Sequence, residues 1–208
     1  YIMLIELYSV KKQLVTFLSN RKEYDFCERQ MLYYKKCHDT QELVLRYYSE
    51  LINNDGYGNC KSPKQIIKFL EVSLNVLKKQ KKYLVSAYSK YLFCMMQLEY
   101  LFCKENYTGA RRFLGKILRD IDASLLIRGN SHIIARVEGE LGSCELFLGN
   151  YDKGIKHMEK SLALLWKRSK MNYYVSLEGL FELVFYKKDL ARAEKIAEEF
   201  HAADNPLG

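Results

Sequence analysis

Apolar residues recur three and four positions apart along almost the whole chain, and the residues that break helices are scarce. Only two prolines and 11 glycines occur among 208 residues. Proline interrupts the helical ladder and glycine weakens it, so this spacing with so few of either predicts long helices joined by short turns. No run alternates with the two-residue period of a strand. The fold class expected is therefore all-α.

The pattern places helices at about 1–19, 22–37, 40–53, 63–80, 82–104, 107–124, 131–148, 151–169, 172–187 and 189–203. The clearest interruption is "NNDGYGNCKSP", in which Ser62 suits an N-cap and Pro63 the first helical position. A second is "IRGNSH", where Gly129 and Asn130 suit a helix end and Ser131 the next cap.

Helices of this number can form a compact bundle or a row of repeated units, and repetition separates the two. Asn106-Tyr107-x-x-Ala110 returns as Asn150-Tyr151-x-x-Gly154 and again as Asp189-Leu190-x-x-Ala193. Each instance falls where a second helix of a pair begins. A period of roughly 40 residues is that of a helical solenoid, in which each unit buries its faces only against its neighbours. The expected organisation is one domain over 1–208 with hairpins near 1–38, 40–80, 82–125, 131–170 and 172–204. The apolar start of the chain and the "HAADNPLG" end suggest a piece of a longer protein.

The fourth unit resembles a tetratricopeptide repeat. Leu141-Gly142 stands at that family's Leu-Gly position, Gly149 and Tyr151 in the turn, Gly154 at the small position of the second helix and Met158 at the large one. Glu138 and Glu145 depart from the pattern, standing where large and aromatic residues belong. The resemblance implies a right-handed stack of about five antiparallel hairpins whose first helices line a concave groove.

Carried over position by position, the groove consists of Leu92, Met95, Glu99 and Phe102, then Arg136, Gly139, Ser143 and Leu146, then Val175, Glu178, Glu182 and Phe185. The carboxylate clamp of the family's chaperone-binding members is not visible, because Met95, Gly139 and Glu178 occupy places where cations or amides are wanted. An apolar or basic peptide segment suits the acidic groove residues better. The resemblance thus implies a non-catalytic protein- or peptide-binding scaffold, and by fold analogy the sensor or assembly domain of a bacterial regulator.

The alternative reading rests on cations. Arg112, Lys156 and Lys195 follow the repeat marker by five residues, and Lys116 and Lys160 follow it by nine. In stacked hairpins they form a basic edge open to nucleic acid or phosphate. The formal net charge of +8 agrees with an anionic partner without choosing one. Amphipathic helices normally carry charge on their outer faces, and glutamates such as Glu159, Glu194, Glu198 and Glu199 interrupt the stripe.

No catalytic or cofactor signature is present in the sequence. His38, His132, His157 and His201 lack metal-ligand spacing, and no phosphate-binding glycine loop or nucleophile elbow occurs. The six cysteines form no CxxC pair and several sit in apolar runs, which suits a reduced, cytoplasmic setting. No apolar run reaches membrane-spanning length, since Glu6, Lys11 and Lys12 divide even the first one.

Overall fold

The computed structural model describes residues 1–18, 20–56, 62–123, 131–165 and 170–204. Every regular element among them is helical. In chain order they are α1 (Ile2–Phe17), α2 (Arg21–Gly56), α3 (Pro63–Lys79), a 3-10 turn (Lys81–Tyr83), α4 (Ala87–Cys103), α5 (Tyr107–Ala123), α6 (Ser131–Phe147), α7 (Tyr151–Leu165), α8 (Lys170–Tyr186) and α9 (Leu190–Asp204). None of the helices in the described residues is long and apolar enough to cross a membrane. The expected breaks at Gly129 and Asn130 and at the final residues 205–208 lie outside the described residues.

Two boundaries differ from expectation. The helices anticipated at 22–37 and 40–53 are one continuous helix, α2. Nothing between residues 37 and 40 stops a helix, and both flanking side chains, Cys37 and Thr40, are buried. The Thr40 hydroxyl donates to the Lys36 carbonyl at 2.7 Å and stands 2.9 Å from the Gln80 side-chain amide, so a polar residue is satisfied inside the packed face. The helix anticipated from residue 82 begins at Ala87, because Ser86 caps it. The Ser89 amide donates to Ser86 Oγ at 3.0 Å. Ser62 and Pro63 do open α3, where the Ser62 amide donates to Gln65 Oε1 at 2.8 Å.

The chain divides into two compact units, 1–103 and 104–208. In the first, α1 lies on the N-terminal part of α2, held by Tyr8 against Tyr34 and Phe26 and by a Lys12–Glu28 ion pair at 2.9 Å. The rest of α2 packs with α3 and α4 around Val44, Leu51, Leu70, Leu74, Leu77, Leu84, Leu92, Phe93 and Met96. The hairpin expected at 82–125 has its two helices in different units.

In the second unit α6 touches α5, α7 and α8, and α8 touches α7 and α9. Tyr107 stacks on Phe147 with ring centroids 4.4 Å apart. Small residues set how close these helices come. A Cβ on Gly154 would stand 2.5 Å from Leu183 and 3.2 Å from the Gly142 carbonyl. Met158 threads between two further glycines: a Cβ on Gly142 would be 2.8 Å from it, and one on Gly179 only 2.4 Å. Gly154 and Met158, expected at the small and large positions, are thus packing positions shared by α6, α7 and α8.

Candidate partner-binding surface

One face of α8 is apolar and internal, carrying Leu177, Leu180, Leu183 and Val184 into the core of the second unit. Val175, Glu178, Glu182 and Phe185, spaced by three and four residues, fall on the other face, and all four are exposed. Phe181 stacks on Phe185 at 6.0 Å, Tyr186 meets Phe185 edge-on at 6.0 Å, and Tyr151 of α7 stacks on Tyr186 at 6.4 Å. An aromatic patch therefore adjoins the two glutamates.

From α6, in contact with α8, Arg136 is exposed and lies 3.6 Å from Glu140. Desolvation pushes the Glu140 carboxyl above the usual range, and Arg136 partly offsets this. Gly139 is half-buried between Ser161 and Ser176, Ser143 is half-buried, and Leu146 packs against the core. Of the four groove residues expected on α4, Glu99 and Phe102 are half-buried. Leu92 and Met95 are buried, and Leu92 belongs to the core of the first unit. Side chains enclosed in this way do not line an open groove, so these two are corrected to packing residues.

The five cations of the expected basic edge, Arg112, Lys116, Lys156, Lys160 and Lys195, are all exposed. Lys160 lies 3.8 Å from Glu138. Acidic groups stand among the others: Glu159 pairs with Arg192 at 2.6 Å, and Asp152 pairs with Lys187 at 2.6 Å. The hydrogen bond from Lys187 holds the Asp152 carboxyl below the usual range. The edge is mixed in sign.

Glu138 and Glu145, the two departures from the repeat pattern, turn out to join helices. Glu138 Oε2 is 2.6 Å from His157 Nδ1 of α7. Glu145 accepts from Asn150 Nδ2 at 2.7 Å and lies 3.5 Å from Arg111 of α5. Both glutamates are buried, so each is compensated by partners that no short motif announces. Ser161 and Ser176 form a buried polar pair between α7 and α8 at 2.9 Å. The adjacent Cys144 thiol is pushed up to about 12, first by burial and then by Glu140 and Glu145, against Arg111. Burial of this kind disfavours the thiolate. Among the described residues no group of three or more His, Cys, Asp or Glu is placed to hold a metal ion.

Comparison with protein-family models, with curated proteins and with solved structures finds no match for this chain.

Proposed function

We propose that the chain is a non-catalytic, TPR-like scaffold that binds a protein or peptide segment through the outward faces of α6 and α8. The observation that supports this most directly is the α8 face itself. Val175 and Phe185 supply apolar contact at its two ends, Glu178 and Glu182 supply negative charge between them, and Phe181 and Tyr186 extend the aromatic patch. Exposed aromatic residues beside paired acids suit a segment that alternates large apolar side chains with lysine or arginine. A role as the sensor or assembly domain of a bacterial regulator is the more specific form of the same proposal, and it rests on fold analogy.

Titration calorimetry with a panel of synthetic peptides alternating Leu or Phe with Lys or Arg, against matched acidic peptides, tests the proposal. The basic panel binds and the acidic panel does not. Glu178→Lys combined with Glu182→Lys weakens binding by about tenfold or more while leaving Tm unchanged, because both side chains are at the surface. Equal affinity of the variant and the parent would count against this surface.

A further inference from the structure

Helix α1 has two apolar faces. Ile5, Tyr8 and Val15 turn toward α2, and Val15 is buried there. On the opposite side Met3, Leu7, Val10, Leu14 and Phe17 stand in the open, from 54% exposed at Val10 to 81% at Met3 and 86% at Phe17. Their spacing is four, three, four, three. That is the seam of a two-helix coiled coil, repeating every 3.5 residues. The neighbouring Ile2 and Leu18, 56% and 76% exposed, extend the apolar surface at its two ends, and contiguous exposed apolar surface of this kind marks an interaction site.

We infer that this stripe is a self-association surface, and that its occupant is α1 of a second copy of the same chain. A row with this period is complementary to itself about a two-fold axis, so an identical helix supplies the facing knobs and holes. The flanking residues also choose the direction. With Leu7 and Leu14 as the a positions and Met3, Val10 and Phe17 as the d positions, Glu6 is a g position and Lys11 an e position. In a parallel, in-register pair Glu6 of each copy meets Lys11 of the other, twice over by symmetry. In an antiparallel pair Lys11 faces Lys11. Opposite charges favour the first arrangement and like charges oppose the second. Lys11 is paired with Glu23 of its own chain but remains at the surface, and an ammonium has donors for a second carboxylate.

Sedimentation equilibrium of the whole 208-residue chain over a hundredfold concentration range tests this. The parent dimerises, and Leu7→Glu with Leu14→Glu raises the dimer dissociation constant by about 100-fold or more. Met3→Glu with Phe17→Glu, at the two most exposed positions, does the same and serves if the first pair fails to fold. Circular dichroism confirms that the variant read is folded. A monomeric parent, or a dimer indifferent to both pairs of substitutions, overturns the inference. So does a monomer that instead binds anionic lipid vesicles through α1. For direction, Leu14→Cys cross-links between equivalent positions under mild oxidation, verified by peptide mapping. Cross-linking at Val10→Cys but not at Leu14→Cys overturns the parallel pairing.

Discussion

Ser161 has one proton to donate and two neighbours within reach. The Ala135 carbonyl, 2.7 Å away, can only accept, so the 2.9 Å contact with Ser176 must run from the Ser176 hydroxyl to Ser161 Oγ. Ser161→Ala therefore removes both a donor and an acceptor inside the second unit. It should cost about 1–3 kcal/mol in urea unfolding, and Ser176→Ala, which leaves Ser161 donating to Ala135, should cost less. Neither serine is visible as a special residue in the sequence. Glu138 and Glu145 were, because carboxylates at packing positions contradict the repeat pattern. Their partners were not, since His157 and Arg111 are distant in the chain and only the packing of α5, α6 and α7 brings them together.

At the level of the element, the repeated turn is more regular in conformation than in letters. Glu105, Gly149 and Lys188, each just before the repeat marker, have φ of 53, 72 and 66°. At two of the three turns the hydrogen bonds coincide as well: Asn150 N–H reaches the Glu145 carbonyl and Asp189 N–H the Val184 carbonyl, the helix ending that glycine serves best. Asn106 and Asp189 then cap the following helix through their side chains, while Asn150 spends its amide on Glu145. Only the turn that contains Gly149 could be read directly, because glutamate and lysine hold the left-handed conformation against their own preference. Lys188→Gly should relieve that strain and stabilise the chain by about 1 kcal/mol, seen as a higher Tm; a loss of stability would mean the lysine side chain contributes there. The helices themselves were legible from spacing. The continuity of α2 was not, since a short polar stretch such as "CHDT" looks like a turn until Thr40 is seen to be satisfied within the helix.

For the whole molecule, the net charge of +8 favours attraction to polyanions, and acidic groups break up the edge of α7 and α9. Binding to duplex DNA should be independent of sequence at low salt and lost by about 0.2 M salt. Sequence-selective binding that persists there would favour the nucleic-acid reading over the scaffold. The exposure of the α8 part of the expected groove was legible because one repeat phase fixes a whole helix face. The α4 part was not, because in so apolar a helix the period does not say which side is covered, and Leu92 went inward. The unbroken α2 has a further effect. At 1.5 Å per residue its 36 residues form a rod of about 54 Å, gripped by α1 near one end, by the Tyr83 ring and Gln80 at its middle, and by Val44 and Leu51 toward the other. A continuous helix acts as a lever rather than a hinge. Any load that fixes or tilts α1 is passed along the same helix to the leucine core, about 15 to 35 Å further on.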